Sequence, residues 1–493
     1  MIARFDELFE RRHPSTTPES AALIDRICLS TRVENRAAAE QLAVIGELFG
    51  YRLSRCSENE DWAIDTMEAV AAEVGAALRI SQGLAASRLR YARAMRERLP
   101  KVGEVFRAGD IDYRMFQTIV YRSDLITDPE VLAVVDAQLA ATVARWPSMT
   151  RGRLAAQVDK IVAKADADAL RQHTQRQRDR EIWIGDLQGG TSEIHGSLFT
   201  PEAHALDKRL DALVATVCEH DPRSRQQRRA DAMGALAVGA DRLGCHCARS
   251  DCAAGTRPAA TPVVIHVIAE QATLDGSGGA PASDVSADGL IPPELVQELA
   301  KSAKLVALIH PGDAPPEPRY TPSKALADFV RCRDLTCRWP GCDQPAMHCD
   351  LDHTIPYAQG GPTHAGNLKC YCRTHHLVKT FWGWRDQQLP DGTLILTSPA
   401  GRTYVTTPGS ALVFPSLCRS VGGMPAPEAD PPLDCYGQRT AMMPTRRRTR
   451  AQNRAQRIAA ERRGNHQARQ ARRAEHVSYA GPAPPDDDDP PPF

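Results

Sequence analysis

The chain has 493 residues, too many for one compact core, and this length predicts two or three domains. Its composition, 42% hydrophobic and 25% charged, is ordinary for a globular protein. No run of eighteen apolar residues occurs, so we expect no membrane span. The N-terminus lacks the long apolar stretch of a secretory signal. We therefore expect a cytoplasmic protein without a membrane partner.

The formal net charge of zero hides a basic C-terminal end. The segment from Thr445 to Phe493 contains eleven Arg, no Lys and six acidic residues. Its net charge is therefore about +5, and the rest of the chain carries about −5. The end of the chain has the charge expected of a segment that contacts nucleic acid.

The first part of the chain, residues 20–180, is expected to be a helical domain. Within it, Ser81 is expected to cap the second of two successive helices. Apolar residues recur there at helical spacing: Ala85, Leu89, Ala92, Met95 and Leu99. Because the second helix is also rich in Arg, the pair is either a helix-turn-helix or a plain helical hairpin with a charged outer face.

Residues 181–310 predict a mixed α+β module. Alternation around a Gly-Gly turn indicates a hairpin over residues 181–199, Thr200 and Pro201 begin a helix, and Val263–Ile268 predicts a buried strand. A Pro-rich linker, residues 311–322, follows, and a compact module is expected over residues 323–410.

The clustered cysteines predict metal binding. Fourteen Cys are present, and in a reducing compartment closely spaced Cys with nearby His favour a metal site over disulfides. Two ligand pairs, Cys337 with Cys342 and Cys372 with His375, lie about thirty residues apart, a spacing typical of a structural tetrahedral Zn²⁺ site.

A second set of polar residues lies between those pairs. Asp352 and His353 are adjacent, and in an extended segment their side chains point to opposite faces. One can hold a metal while the other reaches a water molecule. Asn367 follows a Gly-Gly turn, and His376 lies on an expected helix next to His375.

Asp352, His353, Asn367 and His376 resemble the His-Asn-His (HNH) endonuclease motif, two strands and a helix around one divalent metal. The resemblance implies that His353 is the general base, that Asp352 and His376 hold the catalytic metal, and that Asn367 fixes the loop or assists at the metal. Lys379 would contact a phosphate. Residues Tyr320 to Thr380 resemble the C-terminal module of the mycobacterial 13E12 repeat family. The helical region upstream resembles that family's N-terminal domain of unknown function, so the resemblance as a whole covers most of residues 20–410. That family is linked to repetitive or mobile DNA.

These residue types suit phosphodiester hydrolysis. A neutral imidazole activates water near pH 7, and a cation offsets charge on the phosphate. One carboxylate and one imidazole do not select among Mg²⁺, Mn²⁺, Ni²⁺ and Zn²⁺. The alternative is a zinc-stabilised module without catalysis.

A second metal cluster is suggested by Cys245, Cys247 and Cys252. Its fourth ligand is open among His246, Cys218, His220 and a residue farther along the chain, and free thiols in a loop are an equal alternative.

The segment of residues 425–493 is expected to be a disordered Arg-rich tail with at most a transient helix. Its arginines, among them Arg446, Arg447, Arg448 and Arg450, are expected to contact nucleic-acid phosphates.

The expected fold is therefore multidomain and mainly α with small α+β parts: a helical domain, a mixed middle module, a zinc-stabilised ββα-metal (HNH) module and the tail. The expected function is metal-dependent cleavage of DNA, with RNA not excluded and the oligomeric state open. The alternative is a non-catalytic DNA-binding protein with a vestigial nuclease module.

Overall fold

The computed structural model describes residues 17–146, 149–170, 181–186, 191–198, 200–252, 266–285, 290–301, 303–422 and 442–479. The chain divides into two compact units. The first contains Met1–Gln172 together with Tyr436–Phe493, and the second contains His173–Cys435. The C-terminal segment therefore belongs with the N-terminal helices.

The first unit is helical. Its long first helix is capped by Thr17, whose hydroxyl accepts from the N–H of Ser20 and whose N–H donates to the Ser20 hydroxyl. The core is built from apolar faces of all the helices, including Phe49, Phe106 and Phe116. The α-helices of its N-terminal part are α1 Pro18–Cys56, α2 Thr66–Leu78, α3 Gln82–Arg93, α4 Pro100–Ala108, α5 Tyr113–Ser123, α6 Pro129–Thr142 and α7 Arg151–Ala165.

The helix pair predicted around Ser81 is confirmed. Arg79 adopts the left-handed conformation after α2, and the Ser81 hydroxyl accepts from the N–H of Leu84 at the start of α3. All five apolar residues predicted at helical spacing are at most 1% exposed. Arg88 and Arg96 of this segment donate to groups of α1, which favours the plain hairpin over a helix-turn-helix.

The expectation of a disordered tail is wrong for most of the described part of the segment. An α-helix, α14, spans Arg450–Tyr479. Ile458 is 4% exposed and packs into the core of the first unit, and the Asn465 amide donates to the carbonyls of Asp168 and Leu170. Composition alone predicted disorder because it did not show the acidic surface that receives the arginines. Residues 425–441 and 480–493 of the expected tail lie outside the described residues.

The second unit combines short helices with small antiparallel sheets. The predicted hairpin is confirmed, with Ile184 opposite Ile194, and a helix runs from Thr200 to Val214. Of the strand predicted at Val263–Ile268, Val267–Ile268 is a strand and residues 261–265 lie outside the described part. The elements before residue 335 are β1 Ile182–Asp186, β2 Ser192–Gly196, α8 Thr200–Val214, α9 Arg225–Ala237, β3 Val267–Ile268, α10 Gln271–Leu274, β4 Ala282–Asp284, β5 Leu290–Ile291, α11 Pro293–Ala300 and α12 Lys324–Asp334.

The last part of this unit contains the predicted succession of two strands and a helix. Its elements are β6 Asp350–His353, β7 Leu368–Tyr371, α13 Arg373–Phe381, β8 Arg385–Gln388, β9 Leu394–Thr397 and β10 Thr403–Thr406. Strands β6 and β7 pair antiparallel, and the last three strands form a sheet in the order β10-β9-β8.

Among the helices of the described residues, none combines the length and the apolar character needed to cross a membrane.

Candidate metal centre and polar site

A buried ion-pair network fixes β7 against α12. Asp334, fully buried, accepts from Arg333 and from the N–H of Cys370 at 2.8 Å each. The Arg333 guanidinium also donates to the carbonyls of Ala365 and Leu368. Since each of these groups is satisfied, the network places β7 without leaving a buried charge unpaired.

The predicted zinc ligands converge. One donor atom from each of Cys337, Cys342, Cys372 and His375 lies within 4.8 Å of the others. Hydrogen bonds from Cys337 and Cys342 lower the pKa of Cys372, whereas burial raises that of Cys337. Three thiols and one imidazole in this arrangement suit a tetrahedral ion, so the cluster can hold a metal such as zinc.

His375 is oriented toward this cluster by stacking. Its ring lies parallel to Trp339 with centroids 4.7 Å apart, and its Nδ1 is 3.2 Å from Cys372 Sγ and 3.6 Å from Cys337 Sγ. The N–H of Cys372 donates to Cys337 Sγ at 3.3 Å, a contact that would stabilise this sulfur as a thiolate once a metal is bound. The imidazole atom positioned to bind a metal is therefore Nδ1.

Beside this cluster lies a buried group of acidic and basic side chains. Asp352 Oδ2 accepts from Lys369 Nζ at 2.7 Å and from Lys379 Nζ at 2.8 Å. Lys369 Nζ also lies 2.8 Å from Asp386 Oδ2. Burial alone would raise the pKa of Asp352, but the charges of Lys369, Lys379 and His376 outweigh it and hold that pKa well below its usual range. Asp352 is therefore a carboxylate at neutral pH.

His376 lies between two carboxylates. Its Nε2 is 3.3 Å from Asp352 Oδ1, and its Nδ1 is 2.8 Å from Asp350 Oδ2. Burial alone would lower the pKa of His376, but the two aspartates raise it. An imidazole held by a carboxylate at one nitrogen while the other nitrogen faces a second carboxylate oxygen is the arrangement expected of a metal ligand with an orienting partner. Asp352 Oδ1 and His376 Nε2 can therefore reach one divalent cation.

His353, adjacent to Asp352 on β6, contacts a different group of residues. It stacks on Tyr320 with ring centroids 5.2 Å apart, and its Nε2 lies 2.9 Å from Thr363 Oγ1. With the single hydroxyl proton of Thr363 donated to the Tyr320 carbonyl, Nε2 donates to Thr363 and Nδ1 carries the lone pair. Burial lowers the pKa of His353, which favours the neutral imidazole at pH 7.

Asn367 holds the loop between β6 and β7. Its side-chain oxygen accepts from the N–H of Ile355 at 2.8 Å, and its amide donates to the carbonyls of Ile355 and Pro362. Of the two roles left open for this residue, the contacts favour loop fixation.

Comparison with known proteins places the chain in a family. The family described as "Domain of unknown function (DUF222)" matches residues 29–334, more than half of the chain. The chain belongs to the DUF222 family. No solved structure matches it.

Relatives of this DUF222 protein cover nearly its full length. The uncharacterized protein Rv3776 of Mycobacterium tuberculosis (strain ATCC 25618 / H37Rv) is 43% identical over 471 residues, which is 90% of each chain. The uncharacterized protein Rv2100 of the same strain is 42% identical over 502 residues, covering 92% of this chain and 90% of its own. A match of this extent continues beyond residue 334, where the family match ends.

The second cysteine cluster of the DUF222 protein is also assembled in the structure. Cys245, Cys247 and Cys252 converge with Cys218, and the four sulfurs lie within 4.8 Å of one another. Of the alternatives left open for the fourth ligand, the structure brings Cys218 into place. Cys218 lies 27 residues before Cys245 in sequence. The sequence offered it as one candidate for the fourth ligand, but only the fold selects it.

The four tail arginines predicted to bind nucleic acid differ in their contacts. Arg446 and Arg450 each form an ion pair with Asp65, and Arg450 also pairs with Glu68. Arg447 and Arg448 are exposed. These two therefore remain accessible to a phosphate.

Sequence reasoning missed several neighbours of the predicted site. The segment expected to be a linker contributes Tyr320, which stacks on His353. Thr363 contacts His353, Lys369 pairs with Asp352, and Asp386 pairs with Lys379. Lys369 was recoverable, because β6–β7 pairing sets it opposite Asp352, but Asp386 lies on a strand of another sheet.

Proposed function

We propose that this DUF222 protein is a metal-dependent endonuclease of the HNH type that hydrolyses phosphodiester bonds of DNA. The observation that carries the proposal is the convergence of Asp352 Oδ1 and His376 Nε2, 3.3 Å apart, with His353 next to Asp352 on β6. Burial lowers the pKa of His353, which favours the neutral base. We also propose that the protein is related to the 13E12 repeat proteins.

In this proposal, each residue of the site has a separate role in hydrolysis. Asp352 and His376 hold a divalent cation, which when bound offsets charge on the phosphate and the leaving oxygen. His353 Nδ1 takes the proton of the attacking water, while Thr363 and Tyr320 hold the ring. Asn367 keeps the intervening loop in place. The Cys337 cluster, with zinc bound, would anchor the start of α13, which carries His376.

DNA affinity is proposed to come from exposed arginines of α14 and the segment before it. The ion pairs of Arg446 and Arg450 hold this segment on the first unit, and other guanidinium groups face solvent. Clustered arginines bind phosphate oxygens and release counterions, so binding should weaken as salt rises. The exposed arginines are Arg447, Arg448, Arg454, Arg457, Arg463, Arg472 and Arg473.

The test is a supercoiled-plasmid cleavage assay with Mg²⁺, Mn²⁺, Ni²⁺ or no added metal. The His353→Ala variant of the full chain is expected to lose about 10²–10⁴-fold in rate because it lacks the general base. It should keep its zinc, since His353 is not among the converging zinc ligands. His348→Ala, an exposed residue of the same module, is the matched control and should cut normally.

Undiminished cleavage by His353→Ala would refute the assignment of the base. No cleavage by the zinc-loaded wild-type protein with any of these metals would instead favour the alternative function, a DNA-binding protein whose nuclease module is vestigial.

A further inference from the structure

We propose that Cys218, Cys245, Cys247 and Cys252 form a second structural zinc centre, a Zn(Cys)₄ site that joins the end of α8 to the chain following α9. The proposal concerns the mixed module alone and does not depend on nuclease activity. It rests on sulfur geometry, on the ion pairs that join the two halves of the cluster, and on the small size of the local core.

The sulfur spacing fits one tetrahedral ion. Four thiolates each about 2.3 Å from a zinc ion lie about 3.8 Å from one another. In the structure all four sulfurs are within 4.8 Å of one another, and Cys218 Sγ lies 3.5 Å from Cys245 Sγ. A pair of disulfides would need two separated sulfur pairs instead of one common centre.

The backbone turns within the cluster. Ala248, directly after Cys247, adopts the left-handed conformation with φ of 56°. The chain therefore changes direction between Cys247 and Cys252.

The chemistry of the sulfurs selects the ion. Four cysteines at one centre release their protons when a cation binds among them, and soft sulfur ligands in tetrahedral array select zinc over magnesium or calcium. Arg249, which also pairs with Asp251, lies close enough to interact with charges on Cys218, Cys247 and Cys252. It would offset part of the negative charge that remains after a divalent ion has bound.

An ion-pair scaffold holds the two halves of the cluster together. Asp221, whose side chain is fully buried, accepts from Arg223 and, at 3.0 Å, from the N–H of His246. Arg223 donates to the carbonyl of Gly244 at 2.6 Å. The loop after Cys218 is thereby tied to the residues beside Cys245.

The local hydrophobic core is too small to replace a metal. Within the described residues, the core cluster between α8 and α9 consists of Leu210, Leu213, Val214 and Ala232. Small modules with so few buried apolar side chains are commonly stabilised by a metal or by disulfides. A zinc ion bound by all four cysteines would connect the end of α8 to the chain after α9, beyond the last residues of this core.

The test is the zinc content of the full chain purified under reducing conditions. The wild type should contain two zinc ions per chain, and Cys245→Ser with Cys247→Ser should contain one. Cys342→Ser, in the other cluster, should also contain one, and Cys28→Ser, an exposed cysteine of α1, should keep two. A Cys245→Ser/Cys247→Ser variant that contains as much zinc as the wild type overturns the proposal.

A conservative variant separates metal binding from folding. Cys252→His replaces a thiolate by an imidazole, which also binds zinc. It should retain two ions, and after cobalt exchange its absorption should show the loss of one sulfur ligand. An unchanged cobalt spectrum, or mass-spectrometric detection of a disulfide within the cluster of the freshly purified protein, would contradict a Zn(Cys)₄ centre.

Discussion

Lys369 shows how one side chain organises the polar site. It is fully buried and lies within 2.8 Å of both Asp352 and Asp386. A buried ammonium is stable only when paired, and a buried carboxylate is costly once its partner is removed. The lysine therefore makes it possible to bury Asp352 next to His376 as a charged carboxylate.

Replacement of Lys369 by Met should lower the free energy of unfolding of the second unit by about 3 kcal/mol. This loss is at the low end of the range for a broken buried ion pair, because Lys379 remains close to both Asp352 and Asp386. Urea unfolding followed by tryptophan fluorescence measures it. Lys324→Met, at an exposed lysine of α12, is the control and should change little. Adding Asp386→Asn to Lys369→Met should restore part of the lost stability, because it removes one unpaired buried charge. An unchanged free energy of unfolding in Lys369→Met would refute the argument that Lys369 neutralises the two aspartates.

At the scale of elements, α14 shows that an Arg-rich helix can be part of a folded core. Along its length, Arg454 pairs with Asp124, Arg462 with Asp166, and Arg469 with Asp168. Partly exposed pairs of this kind contribute little each, so Ile458, buried in the core, is expected to dominate the docking of the helix.

Ile458→Ala should destabilise the first unit by about 2–5 kcal/mol through the lost burial and the cavity left behind. Hydrogen exchange measured by mass spectrometry should then show faster exchange across α14. Arg457→Ala, an exposed neighbour, should leave exchange unchanged. Exchange of α14 in the wild type as fast as in an unfolded chain would restore the interpretation of this segment as a disordered arm.

At the scale of the whole molecule, the two units are stabilised differently. The first has a continuous core that runs through all its helices, whereas both cysteine clusters among the described residues lie in the second. Metal binding to thiolates supplies folding free energy directly, so the second unit should depend on metal far more than the first.

Removal of metal by a strong chelator under reducing conditions should unfold the second unit while leaving most of the helical circular dichroism of the first. Limited proteolysis should then cut within residues 173–435 and spare α1 to α7. Re-addition of zinc should restore protection. Equal loss of structure in both units on chelation would show that the first unit also needs metal.

The sequence alone determined what depends on neighbours along the chain. Helical spacing identified the face of α3, alternation around Gly-Gly identified the β1–β2 hairpin, and two short loops identified Cys337, Cys342, Cys372 and His375. These features are local because a helical turn, a two-strand hairpin and a ligand pair each need only a few consecutive residues.

The tertiary structure decided what depends on residues far apart in the chain. It selected Cys218 as the fourth cysteine, set Asp386 beside Lys369, and placed Tyr320 against His353. It also turned the expected disordered tail into a docked helix, because Ile458 has a core to enter and the arginines have an acidic surface to meet only once the first unit is folded. Burial and charge pairing are properties of the assembled fold, and composition reports neither.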